Sequence, residues 1–334
     1  MRRPYNCIVT HFNASGTNAH TDTAIPPTLL LHTREALTKP MAENITGFQD
    51  YLKKELEKTK GIYVPVRAGF LRRLLIRRTA CKNLHPNPED EFCIPTIGPN
   101  SGIISKYCQD FRRFGTRSSV EHDVEPLTVD KIRPSGYLIL NGHHRWAAAI
   151  MTGQRSLPIR IVDLPLEEDI QKMLQRSRSD RRVTLDLDEV VFLSMDDGPV
   201  EKLPFFLRVR YRQRLRLGIP ALFRFLNDKG YDIWVYSANY YSFKQIQALF
   251  MLYQTRVTGV VTGTGGKGRL GAAVHERLKK SVSEQYPTTI HIDARGIVKV
   301  DSRNKTHEEY PLKETGAQWS QEIMNLIGEL DKNG

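Results

Sequence analysis

The chain has 334 residues, 40% of them hydrophobic and 26% charged, with a formal net charge of +12 at pH 7. That length suits about two domains with ordinary cores, and the composition excludes a disordered or fibrous chain. No apolar run approaches the ~20 residues of a membrane-spanning helix, and Pro4 to His20 is too polar for a signal-peptide core, so a cytoplasmic protein with no membrane partner is expected.

Four cysteines, at positions 7, 81, 93 and 108, show neither a CxxC pair nor zinc-ligand spacing and read as reduced, partly buried thiols. The positive charge points to polyanionic or phosphorylated partners. Its arginines cluster as Arg72, Arg73, Arg77 and Arg78, then Arg176, Arg178, Arg181 and Arg182, then Arg208, Arg210, Arg212, Arg214 and Arg216. An extended segment would align the last five on one face for nucleic acid or a phosphoprotein. A helix would scatter them as a solvated surface.

Residues 1–60 mix Thr, Asn, His and Pro without a sustained period, apart from a helix pattern through Phe48 to Lys58, and read as a partly disordered arm or elaboration. From Gly61 the pattern tightens into a domain over residues 61–165. A short strand is expected at Leu74 to Ile76, a turn rich in prolines and acids at Leu84 to Glu91, a helix at Ile103 to Phe114 and a strand at Glu125 to Ile132. Strand Gly136 to Leu140 then breaks at Asn141-Gly142 into a helix over His143 to Met151, and strand Leu157 to Val162 closes the domain.

A strand that turns through Gly into a helix leaves backbone N–H groups unpaired at the helix start. Basic residues His143, His144 and Arg145 in that first turn oppose the helix dipole and call for an anion, for which phosphate is the natural candidate. The plainer reading has one histidine capping the turn while Arg145 pairs with Glu89, Asp90 or Glu91.

The loop Asn141-Gly142-His143-His144-Arg145 resembles that of the ParB/sulfiredoxin superfamily. The resemblance implies a smaller α+β domain whose loop holds the phosphates of ATP or CTP. His143 stands where sulfiredoxin needs a cysteine, and no helix-turn-helix region of a partition protein follows. What remains is the branch of free amino-acid kinases and related nucleotide hydrolases, by whose analogy Glu89 or Glu91 is a general base or metal partner. Asn141 replaces an aspartate there, and an amide can orient a hydroxyl but cannot take its proton.

Residues 166–181 read as a linker to a second domain over residues 182–334. Its first strand, from Val183, ends in Asp186 and Asp188, which share a face at strand period two. Two carboxylates so close repel unless a cation, usually Mg²⁺, holds both, and the alternative is two solvated acids at a strand end. A helix pattern at Ile219 to Asn227, a strand Tyr231 to Tyr236 ending in Ser237, a helix through Leu252, a strand Val257 to Thr262 before Lys267, and a run Thr288 to Ile292 ending in Asp293 follow in order. Strands alternating with helices predict an α/β, doubly wound parallel, Rossmann-like sheet.

This ordered set resembles the haloacid dehalogenase-like (HAD) phosphohydrolases, in particular the branch of protein phosphatases with a small cap. The resemblance implies that Asp186 is the nucleophile, Asp188 the acid/base, Ser237 and Lys267 the phosphate holders, and Asp186, Asp188 and Asp293 the Mg²⁺ site. Asp293 is followed by Ala294-Arg295-Gly296, where members usually carry a second acid. The expectation is a Mg²⁺-dependent phosphatase or phosphotransferase, a hydrolase forming an aspartyl-phosphate, joined to a nucleotide-binding or kinase-like module. Its substrate would be a phosphorylated small molecule, a phosphoprotein or a nucleic-acid end. The competing expectation is a ParB-like, nucleic-acid-associated regulatory protein with a basic surface and little catalytic activity.

Overall fold

Two stretches of alternating strand and helix pattern fold around two sheets. The computed structural model describes residues 47–57, 64–117, 123–193, 198–204, 213–263, 272–303, 306–313 and 316–333. Residues from Gly47 onward belong to one compact unit.

Helix α1, residues 47–57, sets Phe48 and Leu52 one turn apart, and both are buried in the first core. That core therefore begins before residue 61, and the part of the expected arm before residue 47 lies outside the described residues. Strands β1 (Val64–Pro65), β2 (Arg77–Ala80), β3 (Leu84–His85), β4 (Leu127–Arg133), β5 (Tyr137–Asn141) and β6 (Ser156–Ile161) form a six-stranded sheet in the order β2-β6-β4-β5-β3, with β1 beside β4. Pairing is mixed: β4 runs parallel to β6 and antiparallel to β5. The strand expected at Leu74 to Ile76 is instead the end of helix α2 (Phe70–Leu74) and an exposed connection. Arg77 is the first residue with a partner, Ile159 of β6, so the ladder cannot begin earlier.

Helices α3 (Ser101–Phe114) and α4 (His143–Met151) pack together over this sheet. Trp146 and Ala147 to Ala149 are fully buried there, with Phe48 edge-on to the Trp146 ring at 5.7 Å. Burying one such aromatic contributes on the order of 2–3 kcal/mol.

Residues 166–181, expected as a linker, contain helix α5 (Glu167–Gln175), whose Ile170, Met173 and Leu174 are part of the second core. The i, i+3, i+4 spacing of those three makes a helix stripe too apolar to leave in water. Then come β7 (Arg181–Asp186), the small pair β8 (Phe192–Leu193) and β9 (Arg214–Leu215), α6 (Ile219–Asp228), β10 (Asp232–Ser237), α7 (Phe243–Leu252), β11 (Gly259–Thr262), α8 (Ala272–Gln285), β12 (Thr288–Ile292), β13 (Gly296–Asp301), β14 (Thr306–Pro311) and α9 (Trp319–Asn333). The second six-stranded sheet runs β11-β10-β7-β12-β13-β14. Its first four strands are parallel, as expected, and β13 and β14 extend it as an antiparallel meander that the sequence reading did not anticipate.

The connections from β7 to β10 and β11 step one way across the sheet, and the connection to β12 steps back past β7. Right-handed crossovers then place α6 and α7 on one face and α8 on the other. The pairs that pack, α6 with α9 and α5 with α8, agree with that division. The order reverses between β7 and β12, and in open α/β sheets ligands bind beyond the carboxyl ends of the strands at such a reversal. Gly259 is required at the other edge, because a Cβ there would come within 2.2 Å of the Trp234 ring.

The two sheets meet at a seam. Leu140, Val162 and Leu164 of the first half pack with Tyr240 of the second, and Gly263 closes on Tyr240 and Leu164 so tightly that a Cβ would sit 3.0 and 3.1 Å from them. Asp163, 3% exposed, faces Arg73 at 3.2 Å as a buried ion pair. Its carboxylate accepts from Ala68 N and its carbonyl from Phe243 N.

Candidate functional site

At the strand-order reversal, β7 ends in Asp186, and a single π-helical turn, Leu187–Val191, follows. Asp186 starts that turn: one carboxylate oxygen, Oδ1, accepts from the backbone N–H groups of Asp188 at 2.7 Å and Glu189 at 2.9 Å. This fixes the side chain and directs the chain away from the sheet. Burial pushes the Asp186 carboxyl up, the two N–H groups oppose that, and the charges of Asp188 and Asp293 add to it. Asp186 is thus an acid held partly desolvated beside two others.

Asp188 is held differently. Its Oδ2 accepts from Ser237 Oγ at 2.5 Å and its Oδ1 from Tyr241 OH at 2.8 Å. Ser237, fully buried at the end of β10, also accepts from Asn239 N, which shapes the loop carrying Tyr241. Burial and the Asp188 carboxylate push the Tyr241 phenol well up, so it is a donor throughout the neutral range. Tyr241 is a site residue the sequence reading missed, since nothing periodic marks a loop tyrosine four residues past a strand end.

Asp293 lies just past β12, in a turn where its Oδ1 accepts from Arg295 N and its N–H donates to Gly296 O. Arg216 approaches from beside β9, with its guanidinium 4.7 Å over Trp319 and donating to Val190 O, and the Asp293 charge supports its protonation against burial. Among the described residues, no three His, Cys, Asp or Glu side chains converge as a metal-ligand set. Asp186 and Asp293 fit a hard cation, because each carboxylate has one oxygen in the turn contacts above and the Asp293 charge reaches Asp186. Both oxygens of Asp188 accept from hydroxyls, which orients the carboxylate and leaves a second lone pair on each oxygen. Mg²⁺ commonly takes one or two carboxylates and completes its shell with water. Lys267 lies outside the described residues.

The second cluster sits at the start of α4. Gly142, at φ 104°, turns the chain from β5 into the helix in a left-handed conformation that a side chain would strain. His143 Nε2 accepts from Asn87 N and His144 Nε2 from Asn100 N, both at 3.1 Å, while His143 Nδ1 faces Asp90 Oδ1 at 3.5 Å. Phe92 stacks on His143 at 5.4 Å and meets His144 edge-on at 5.0 Å. Burial pushes His143 down to about 4 and lowers His144 also. Both rings are therefore neutral acceptors at pH 7, contrary to the expectation of cations in that turn. The physical reason is burial, which penalises the charged ring, and each neutral ring accepts from a loop N–H.

Arg145 alone carries the charge. It is 5% exposed and pairs with Glu125, at 2.6 Å to the carbonyl and 2.8 Å to Oε2, rather than with the acids at 89–91. Glu89 and Glu91 are exposed on the 87–93 loop that covers His143, and Asn141 is exposed at the strand end. Burial raises Glu89. The structure thus brings His143 and His144 against Asp90 and Phe92 of this loop, pairs Arg145 with Glu125, and leaves Asn141 exposed at the strand end.

The arginine groups mostly resolve into structural contacts. Arg73 pairs with Asp163, Arg78 with Thr116 and Ser156, Arg181 with Asp331, and Arg182 with Thr289 and Tyr236. Arg208, Arg210 and Arg212 lie outside the described residues. The three described cysteines are buried free thiols, and burial pushes Cys81 up to about 11 and Cys93 to about 12, which makes them unreactive.

A family model, the ParB N-terminal domain, matches residues 117–178, from before β4 through α5. That segment is ParB-like. Its match includes the Asn141 to Arg145 loop and runs past the boundary expected at residue 165. Two solved structures of C-terminally truncated chromosome-partitioning protein ParB from Caulobacter crescentus also align. The one complexed with CTP-γ-S is 24% identical over 32% of this chain and 56% of its own, at a TM-score of 0.21. The one complexed to the centromeric parS site is 25% identical over 31% of this chain and 50% of its own, at a TM-score of 0.20. The chain thus spans about half the length of these ParB structures. No curated protein matches it. Among the described residues no helix is long and apolar enough to cross a membrane.

Proposed function

We propose that the chain is a phosphoryl-transfer enzyme of HAD-like type whose ParB-like half binds ATP or CTP. The observation that carries the first part is the placement of Asp186 at the carboxyl end of β7, beside the strand-order reversal, with Asp188 held two residues on by Ser237 from β10. In this reading the free Asp186 oxygen attacks phosphorus and the P–O bond to the leaving group breaks, giving an aspartyl-phosphate. Asp188, oriented by Ser237 and Tyr241, delivers a proton to the departing oxygen and then takes one from the water that attacks phosphorus, as the bond from phosphorus to Asp186 breaks and inorganic phosphate leaves. A Mg²⁺ ion beside Asp186 and held by Asp293 would neutralise charge on the phosphoryl oxygens.

The nucleotide reading rests on the ParB-like match and on the glycine turn that presents the start of α4 beside Arg145. Tyr240 and Ser242 flank Tyr241 in the loop before α7 and contact Leu164 and Arg73 of the first half, so this loop joins the Asp188 contacts to the seam. Turnover of p-nitrophenyl phosphate with Mg²⁺ by the parent and by Asp186→Asn tests the phosphatase. Equal rates in both, or none in the parent across a broad phosphoester panel, would sink it. A rise in melting temperature with millimolar ATP or CTP tests the nucleotide site, and no shift would count against it.

A second reading, a nucleic-acid-associated regulatory protein with little catalysis, is favoured by the uncompensated positive charge of +12. Binding of that kind weakens steeply with salt, whereas turnover of a small phosphoester does not.

A further inference from the structure

At the amino-terminal ends of β7, β10 and β11, on the rim opposite Asp186, a cleft of about 390 Å³ is lined by Arg176, Arg178, Arg224 and Arg256 together with Asn227 and Gln254. The four arginines come from three separate places: the turn after α5, the outer face of α6 and the connection before β11. Their distance in sequence hides the cluster, and only the fold assembles it. All four are exposed, and among the described residues none of them pairs with a carboxylate. Arg181 and Arg182, their neighbours in sequence, are by contrast spent on Asp331, Thr289 and Tyr236.

The cleft is held in shape. Asn227 donates its side-chain amide to Arg256 O at 3.2 Å, and Arg224 donates to Tyr253 O at 3.3 Å, so α6 fixes the segment that presents Arg256. Gln254, at φ 54°, is the one described non-glycine residue with a left-handed backbone, a conformation that costs energy and turns the chain towards the cleft. Of the two aspartates in the lining, Asp232 lies behind and accepts from the hydroxyls of Ser177, Thr258 and Tyr286, which leaves only Asp228 at the surface against four guanidinium groups.

Four solvated guanidinium groups converging on one cleft repel one another, and an anion offsets that. The guanidinium fork matches phosphate oxygens two at a time. A strand of six residues spans about 20 Å, so an anion here is too far from Asp186 to be the group transferred there. An open basic cleft without an enclosing wall to select a small molecule suits a polymer with repeated phosphates, which meets several guanidinium groups at once. We propose that this cleft binds the phosphodiester backbone of a nucleic acid, without base readout, as a docking surface separate from the Asp186 site.

The test uses the full-length chain and a fluorescein-labelled 20-nucleotide single strand, read by anisotropy from 50 to 300 mM KCl. Each phosphate contact contributes about 0.7 to the slope of log affinity against log salt for a single strand. The triple variant Arg178→Gln, Arg224→Gln, Arg256→Gln should lose at least about 10-fold in affinity at 100 mM salt and about two units of slope. The single variants Arg224→Gln and Arg256→Gln should each lose about 0.7 of slope. Asp186→Asn should bind as the parent does, which keeps this outcome distinct from the fate of the phosphatase reading. No binding by the parent at 50 mM KCl would overturn the proposal. So would unchanged affinity and slope in the arginine variants, or equally tight, arginine-dependent binding of a labelled polyglutamate peptide.

Discussion

Ser237 Oγ donates to Asp188 Oδ2 at 2.5 Å, which ties the end of β10 to the turn that follows β7. Tyr241 OH holds the other oxygen at 2.8 Å, so the loop after β10 sets the aim of the proposed acid/base group. Removing one donor leaves the carboxylate free to rotate about the other. Ser237→Ala should lower phosphatase turnover about 10- to 100-fold with little change in KM, and Tyr241→Phe should act in the same direction. Because both act through Asp188, the double variant should lose less than the product of the singles. Full additivity in a double-mutant cycle of kcat would show that the two hydroxyls do not share a target.

Asp186 is costly to the fold in its charged form, since burial and the neighbouring acids both raise it. Asparagine keeps an Oδ1 acceptor for the N–H groups of Asp188 and Glu189 and removes the charge. Asp186→Asn should therefore abolish turnover while raising unfolding stability by about 0.5–2 kcal/mol in urea titration at pH 7.5. A variant that is both inactive and destabilised would assign Asp186 a structural role instead.

The order of strands and helices was legible because apolar periodicity is local: the helix over His143 to Met151 and the strand over Thr288 to Ile292 stand where their patterns predict. The placement of Asp186, Ser237 and Asp293 at strand ends was legible for the same reason, as polar groups closing apolar runs. Tyr241, Glu125 and Asp163 could not, because each gains its meaning from a residue distant in sequence: Asp188, Arg145 and Arg73. The charge state of His143 was also out of reach. Basicity in a sequence is a property of the free side chain, whereas here burial of the ring decides it.

Arg145 already holds an anion, the Glu125 carboxylate, at 2.8 Å, and the Glu125 side chain is 74% exposed. A nucleotide phosphate reaching the start of α4 would have to displace it. Glu125→Gln should thus tighten ATP or CTP binding several-fold, and Arg145→Ala should abolish it. Isothermal titration of the two variants separates this from a general loss of structure, since only a displaced competitor gives a gain on substitution. Weaker binding in Glu125→Gln would instead make Glu125 part of the nucleotide site.

The Asp163 and Arg73 pair joins the two halves in a dry environment, with side chains 3% and 10% exposed. Deleting one partner strands a charge, and Asp163→Ala should cost about 3–5 kcal/mol. Replacing both, as Arg73→Met with Asp163→Leu, should recover much of that loss. Urea unfolding by tryptophan fluorescence reads it directly, because Trp146 and Trp234 report on separate cores. If the double variant were no more stable than the single, the cost would lie in the Ala68 contact and not in the unpaired charge.

Acid should loosen the first half, around His143, before the second. His143 is pushed down to about 4 by burial, while in the unfolded chain it titrates near 6.5, so below 6.5 the unfolded state binds a proton that the folded state refuses. Its contribution is fully present above 6.5 and is lost progressively as pH falls towards 4. His144 and His85, also lowered by burial, act with the same sign, and so does His291 in the second half, at about 4. Asp90 faces His143 and partly favours its charged form, which narrows the window without reversing it. Unfolding midpoints measured from pH 7.5 to 4.5 should therefore fall with acid, and His143→Gln, which retains an acceptor for Asn87 N, should flatten the upper part of that fall. A parent chain whose stability rises between pH 6.5 and 5 would mean that these histidines are protonated in the fold and pair with acids such as Asp90 as cations.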